Sequence, residues 1–122
     1  MDGASRDALR AQLESERDRL QAIVAEMERI ERETLSEASG ENNYRDHMAD
    51  QGSATFEREL DMTLEENARE NLLEVQQALD RIAAGSYGTC ARCGKEIPVE
   101  RLEAYPTASL CIVCKEAEES PR

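Results

Sequence analysis

Apolar residues recur along the first third of the chain with the spacing of one helical face. They fall mainly at steps of three, four or seven between Ser5 and about Ser36, so they form a single stripe on an α-helix. The stripe consists of Leu9, Leu13, Leu20, Ile23, Val24, Met27, Ile30 and Leu35. Ser5 is the expected N-cap, with Asp7 in the first turn, where the helix dipole favours a negative charge. We therefore predict a first helix from Ser5 to about Ser36.

A second stripe follows after a polar break and has the same helical period. Its members are Leu60, Leu64, Ala68, Leu72, Val75, Leu79 and Ile82. It ends at Ala83-Ala84-Gly85, where Gly85 suits the left-handed position just past a helix. The pattern predicts a second helix from roughly Ser53 or Thr55 to Ala84.

The two predicted helices need a partner for their apolar faces, because neither stripe is stable while exposed to water. An antiparallel hairpin that packs one stripe against the other satisfies both helices within one chain. A parallel coiled-coil homodimer is the alternative. The break at about residues 40–52, between two stripes of similar length, favours the hairpin and therefore a monomer.

The break itself, GENNYRDHMADQG, would form the tip of the hairpin. Its notable side chains are Asp46, His47 and Asp50. Each has a simple structural interpretation, since an Asp in this place can cap the second helix and a single His in a polar loop is usually solvated. From the residues alone, those structural roles are favoured.

The net charge indicates which class of partner the protein can bind. The chain of 122 residues has a formal charge of −12, and residues 41–89 hold 11 acidic against 4 basic groups. Binding to a phosphate backbone needs clustered Lys and Arg, so direct nucleic-acid binding is disfavoured and a protein with a basic surface or channel fits better. The sequence has neither a basic start followed by an apolar run nor a stretch of membrane-spanning length, so we expect a cytoplasmic protein.

All four cysteines lie in one segment near the end of the sequence, as two Cys-x-x-Cys pairs. Cys90 and Cys93 are followed after 17 residues by Cys111 and Cys114, which is the spacing of a four-thiolate zinc site. Gly94 suits the tight turn after the first pair. A tetrahedral site with four cysteines is closed to substrate, so we predict one structural Zn²⁺. A thioredoxin-type redox pair is one alternative, and it is disfavoured because the sequence has no strand–helix–strand pattern. Two disulfides are the other alternative, and they are disfavoured because the sequence has no export signal.

The segment around the cysteines has too few apolar groups to fold alone, so the metal would replace a core. Those groups are Ile97, Val99, Leu102, Leu110, Ile112 and Val113. Arg92, Lys95, Arg101 and Lys115 would offset the negative charge of four thiolates around one Zn²⁺. Pro98 suits the start of a short helix. The predicted fold is mainly α: a long antiparallel helical hairpin over residues 1–84, then a zinc-finger module with a short C-terminal helix over residues 85–122.

This arrangement resembles the DksA/TraR family of bacterial zinc-finger regulators. The resemblance is strongest over residues 85–116, GSYGTCARCGKEIPVERLEAYPTASLCIVCKE. It rests on the four cysteines and on Gly85, Tyr87, Gly88, Ile97, Arg101, Leu102, Pro106, Thr107 and Leu110. The stretch DHMAD is more similar to the general-stress-protein branch of the family, and its spacing differs from the Asp-x-x-Asp-x-Ala tip of DksA.

The resemblance implies a function. Members of the family bind RNA polymerase and insert the hairpin through its secondary channel, so that acidic tip residues alter initiation. Carried over to this chain, Asp46 and Asp50 become the candidate tip residues. The alternatives are a zinc-ribbon adaptor or stress protein that binds another protein, and a thiol sensor. No nucleophile–base arrangement or phosphate loop is present, so we do not expect an enzyme.

Overall fold

The protein is described here from a computed structural model, which contains four helices in the described ranges, residues 1–38 and 51–120. The side chains of residues 36–38, 51–58 and 61 are not described. The helices are α1 (Gly3–Ala38), α2 (Gln51–Ala84), α3 (Val99–Ala104) and α4 (Ile112–Glu119). The chain divides into two compact units, a first unit of Met1–Asp18 with Leu73–Arg122 and a second unit of Arg19–Leu72.

Helix α1 begins two residues earlier than predicted, because its cap is Asp2 and not Ser5. The Asp2 carboxylate accepts a hydrogen bond of 2.7 Å from the Ser5 backbone N–H, and the Asp2 carbonyl accepts one of 3.1 Å from the Arg6 N–H. This is the geometry in which an N-cap side chain satisfies an otherwise unpaired amide. Asp7 consequently lies beyond the first turn, where it pairs with Arg10 at 3.5 Å.

The first unit contains one end of the helix pair, and its buried residues follow the predicted stripes. Leu9 and Leu13 of α1 are buried, as are Val75, Ala78 and Ile82 of α2. Ala78 has no exposed surface at all, although its small side chain gave no signal in the sequence. A small residue in a helical seam lets the two backbones approach closely, and the larger neighbours then fill the space.

The second unit pairs the remaining parts of α1 and α2. Leu20, Val24 and Ala68 are buried there, and the Arg69 guanidinium of α2 donates to Glu28 of α1 at 2.8 Å. Four predicted stripe members of this unit are exposed instead of buried. They are Ile30, Leu35, Leu60 and Leu64. The periodicity thus identified the face that is buried at Leu20, Val24 and Ala68, while the stripe positions Ile30, Leu35, Leu60 and Leu64 are exposed, against the prediction.

The end of α2 follows the prediction in detail. Gly85 has φ +81°, its N–H donates to the Ile82 carbonyl at 3.2 Å, and the Ser86 N–H donates to the Arg81 carbonyl at 2.9 Å. These two bonds form a Schellman motif, which satisfies the last carbonyls of the helix and turns the chain sharply. The turn directs the chain from α2 into the cysteine segment.

The cysteine segment has a small apolar core of its own. Tyr87, Ile97 and Leu102 are buried, and the last two have at most 1% of their surface exposed. Ile97 is placed by a backbone bond to Gly88 (2.7 Å), and Leu102 belongs to α3, which Pro98 precedes as the N-cap residue. Ile112 and Val113 are exposed, so only part of the predicted apolar set is used.

The predicted fold class is confirmed: a helical hairpin is followed by a four-cysteine cluster and short helices. The pairing of α1 with α2 within one chain buries part of both stripes, and the predicted monomer stays a prediction. The predicted domain boundary at residues 84 and 85 stays a prediction. Across the described ranges, no helix combines the length and apolar character that crossing a membrane requires.

Candidate metal centre

The first cysteine pair lies in a tight backbone turn. The Gly94 N–H donates to the Cys90 carbonyl at 3.0 Å, and the Cys90 N–H donates to the Lys95 carbonyl at 2.8 Å. Gly94 has φ +77°, which confirms the predicted need for glycine here, since other residues rarely adopt this conformation. The turn brings the side chains of Cys90 and Cys93 to the same side.

The second cysteine pair occupies the start of α4. Cys111 is the N-cap residue of that helix, and the Lys115 N–H donates to its carbonyl at 2.9 Å. Cys114 follows in the first turn, three positions later, so the two sulfurs lie on one face of the helix start. Free backbone N–H groups at a helix start favour negative charge, which suits thiolates.

Hydrogen bonds join the loop before the second pair to the rest of the segment. The Ala91 N–H donates to the Ser109 carbonyl at 2.8 Å, and the Tyr87 hydroxyl donates to the Pro106 carbonyl at 2.7 Å. The Arg81 guanidinium also donates to the Thr107 carbonyl at 3.3 Å. Periodicity and cysteine spacing gave these positions no role. The signal was the family resemblance, which includes Tyr87, Pro106 and Thr107.

The four sulfurs meet at one point. Each Sγ atom of Cys90, Cys93, Cys111 and Cys114 lies within 4.8 Å of the other three, and those of Cys93 and Cys111 are 3.8 Å apart. Two thiolates on a tetrahedral zinc with bonds of about 2.3 Å are separated by about 3.8 Å. The donor set, its number and its spacing therefore fit one structural Zn²⁺, as predicted, with no fifth protein ligand needed.

The local field favours thiolates at two of the positions. The pKa of Cys90 is lowered to about 5, because the backbone N–H groups of Cys93 and Cys111 donate to its sulfur. The pKa of Cys111 is lowered as well, chiefly by the backbone N–H of Cys114. The pKa of Cys114 is raised to about 12, chiefly because its thiol hydrogen-bonds to the Cys111 sulfur. A divalent cation that needs four thiolates would displace this last proton, so metal binding releases protons.

Two of the predicted basic residues take part in described contacts beside the cluster. The Arg101 Nε donates to the carbonyl of Leu110, the residue before Cys111, at 3.1 Å, and its guanidinium lies 5.8 Å from the centre of the Tyr105 ring. Lys115, next to Cys114, lies 3.6 Å from Glu119. Arg101 thus acts on the site through the backbone, by holding the chain that leads into the second pair.

The two candidate tip residues, Asp46 and Asp50, lie outside the described residues. Their predicted role therefore stays a prediction. The same holds for His47.

Comparison with known proteins agrees with this geometry. The profile of the prokaryotic dksA/traR C4-type zinc finger matches residues 85–120, the segment that contains all four cysteines. Over an alignment of 108 residues, the chain is 35% identical to the RNA polymerase-binding transcription factor DksA of Caulobacter vibrioides. That alignment covers 88% of this chain and 76% of the relative. The chain belongs to the DksA/TraR family. This membership confirms the prediction of a non-enzymatic protein.

Two further relatives define where the DksA/TraR similarity extends. General stress protein 16O of Bacillus subtilis is 44% identical over 87 residues, and the chain spans about half (53%) of its length. The solved structure of transcription factor DksA2 from Pseudomonas aeruginosa matches with a TM-score of 0.77 at 35% identity, over 98% of this chain and 86% of DksA2. The match to DksA2 therefore spans the hairpin segment of this chain as well as its cysteine segment.

Proposed function

We propose that this DksA/TraR protein binds RNA polymerase directly and modulates transcription initiation by placing its acidic hairpin tip in the secondary channel. The observation that carries the proposal is the similarity, over most of both chains, to a relative named as an RNA polymerase-binding transcription factor. Asp46 and Asp50 are the tip residues that would act near the catalytic centre. The zinc module would provide the base of the hairpin.

The charge distribution supports this partner. Residues 41–89 contain 11 acidic and 4 basic groups, and Glu66, Glu70 and Glu74 are exposed at steps of four along α2. Like charges at this spacing weaken a helix slightly, so this acidic face is not explained by helix stability. An acidic surface of this kind favours association with a basic channel and disfavours association with DNA.

Binding and tip function can be tested separately. Purified zinc-loaded protein is mixed with core RNA polymerase on a native gel, and run-off transcription is measured in parallel. We expect a complex at micromolar protein. The double variant Asp46→Asn/Asp50→Asn should still bind but lose most of its effect on transcription. The matched control Glu116→Gln/Glu118→Gln removes the same charge from α4 and should keep both properties. Absence of a wild-type complex at micromolar concentration would contradict the proposal.

A second candidate is a stress protein that docks to a different protein, with the tip as a simple connection. The 44% identity to General stress protein 16O favours it. In that case the polymerase complex is absent, and the tip variants retain activity while substitutions on the exposed face of α2 abolish it. The same pair of measurements therefore decides between the candidates.

A further inference from the structure

The residue before the Asp2 cap is buried by a distant part of the chain. Only 8% of the Met1 side-chain surface is exposed, although the residue as a whole is 37% exposed because its backbone faces solvent. An apolar residue before an N-cap commonly packs back onto the fourth residue of its own helix. In α1 that fourth residue is the charged Arg6. Met1 instead packs against Gly88, between α2 and the first cysteine pair.

Gly88 provides the surface on which the Met1 side chain lies. A Cβ atom at this position would be 3.0 Å from the Met1 Cε atom and 3.7 Å from the Leu102 Cδ1 atom. The glycine therefore leaves the space that the methionine occupies. Leu102 itself has no exposed surface, and the Gly88 carbonyl accepts the Ile97 N–H at 2.7 Å. Met1 thus adds a side chain from the start of α1 to the small apolar core of the cysteine segment.

The amine of Met1 has a partner in the same segment. Its ammonium group donates to the Glu96 Oε1 atom at 2.9 Å. An isolated antiparallel bridge joins Glu96 to Thr89, so the backbone that carries this carboxylate is itself held in place. The Glu96 side chain is 74% exposed, and an exposed ion pair contributes little free energy. The amine therefore orients Met1, while burial of the side chain supplies most of the attraction.

Two contacts consequently attach the cysteine segment to the helices within the first unit. At the end of α2, the Arg81 guanidinium donates to the Thr107 carbonyl at 3.3 Å. At the start of α1, Met1 contacts Gly88 and Glu96. We propose that Met1 is an N-terminal strap, which holds the cysteine segment against α1, and that acylation of its α-amine loosens the strap.

The chemistry of the amine explains the sensitivity to acylation. An acyl group replaces the ammonium by a neutral amide, which removes the charge that faces Glu96 and adds bulk beside it. Bacterial chains are made with a formyl group on the first methionine. Water hydrolyses its C–N bond to give formate and the free amine, which takes up a proton. In a chain that starts at Met1, the strap would close fully only after this step. The inference does not rest on the partner proposed above.

Two forms of the wild-type protein provide the first test. Zinc-loaded full-length protein is prepared with a free Met1 amine, and with a formylated one by expression under a deformylase inhibitor. NMR of the free-amine form should show nuclear Overhauser contacts between the Met1 methyl group and the Gly88 Hα protons. Formylation should speed hydrogen exchange of the Ile97 amide by about two- to fivefold. Absence of the Met1–Gly88 contacts, or equal exchange in the two forms, would overturn the proposal.

Variants separate the side chain from the amine. Met1→Ser, released from a cleavable fusion, keeps the amine but loses the buried side chain, so Ile97 exchange should rise by about tenfold or more. Glu96→Gln should reproduce the effect of formylation and should respond little to formylation itself. The matched control Glu103→Gln removes an exposed carboxylate of the same segment and should behave as wild type in both forms.

Zinc content and circular dichroism are measured first for each variant. A formylation effect in Glu96→Gln as large as in wild type would contradict the role of the amine. Wild-type exchange in Met1→Ser would contradict the strap. Should a variant not fold, the comparison of the two wild-type forms decides alone.

Discussion

At the scale of single residues, one acidic side chain sets the start of α1 and one glycine sets the end of α2. Asp2 caps α1 through the Ser5 N–H, and Gly85 at φ +81° closes α2. Both satisfy backbone groups that a helix leaves unpaired. The glycine was predictable because few residues suit its conformation. The cap was not, since Asp2 and Ser5 are both good N-cap residues and the stripe begins only at Leu9.

The Asp2 cap should make the start of α1 sensitive to acid. The pKa of Asp2 is lowered, chiefly by the hydrogen bond from the Ser5 backbone N–H. A lowered folded-state pKa means that the cap stabilises above the unfolded pKa and that this stabilisation is lost as pH falls through the folded value. NMR titration should give a pKa for Asp2 below 3.8. The protection of the Ser5 amide against exchange, relative to an unstructured peptide at the same pH, should fall as pH is lowered through that pKa.

An amide at the same position provides the control for this effect. Asp2→Asn keeps an oxygen that can accept the Ser5 N–H but cannot be protonated in this range. The variant should retain protection of the Ser5 amide with a weaker pH dependence of that protection, whereas Asp2→Ala should lose the protection at all pH values. A wild-type pKa at or above the ordinary value would contradict the cap.

At the scale of elements, stability of the helix pair should come from a narrow buried seam. In the first unit, Leu13 has 2% of its surface exposed, whereas Leu73, on α2, has 58% exposed. Leu13→Ala removes buried surface and leaves a cavity, so it should lower the free energy of unfolding by about 2–5 kcal/mol. Leu73→Ala should change it by no more than about 0.5 kcal/mol. Urea unfolding of the zinc-loaded variants, followed by circular dichroism, measures both.

Equal losses for the two leucine variants would mean that the seam is placed on the wrong face. The sequence predicted that face because burial repeats with the helical period. It could not predict the extent of burial, which depends on how closely the helices approach at each level. Ala78 is fully buried although it is small, and Ile30 and Leu64 are exposed although they belong to the stripes. Those outcomes are decided by packing between segments far apart in sequence.

At the scale of the whole molecule, the zinc site substitutes for a hydrophobic core in the cysteine segment. Apart from cysteines, the buried large side chains of this described segment are those of Tyr87, Ile97 and Leu102. The cysteine spacing predicted the ligands because two-residue gaps place paired sulfurs on one side of a turn. It could not predict the support from Tyr87 to Pro106 or from Arg101 to Leu110, because those bonds depend on the path of the intervening loop.

Removal of the metal should therefore unfold the segment selectively. Structural zinc contributes on the order of 10 kcal/mol, more than three buried side chains provide. A strong chelator should collapse the NMR amide dispersion of residues 86–115, while most of the helical circular dichroism from α1 and α2 remains. Added Zn²⁺ should restore the spectrum and Mg²⁺ should not. A dispersed spectrum without metal would contradict a structural role for zinc.

At this scale we propose that a hairpin held at its base by a zinc module carries two acidic tip residues, Asp46 and Asp50, into RNA polymerase. Family membership supports the partner, and the excess of acidic groups over residues 41–89 supports the kind of surface it meets. The position of the tip in the complex distinguishes channel insertion from docking on the outside of the enzyme.

Site-specific crosslinking measures that position directly. A photoreactive amino acid replaces Met48, between Asp46 and Asp50, in protein bound to RNA polymerase. An equivalent probe at Glu118 in α4 serves as the control. Mass spectrometry should place the crosslinks from position 48 on residues that line the secondary channel near the catalytic centre, and those from position 118 outside it. Crosslinks from position 48 to the outer surface of the polymerase, or none in a verified complex, would contradict the account.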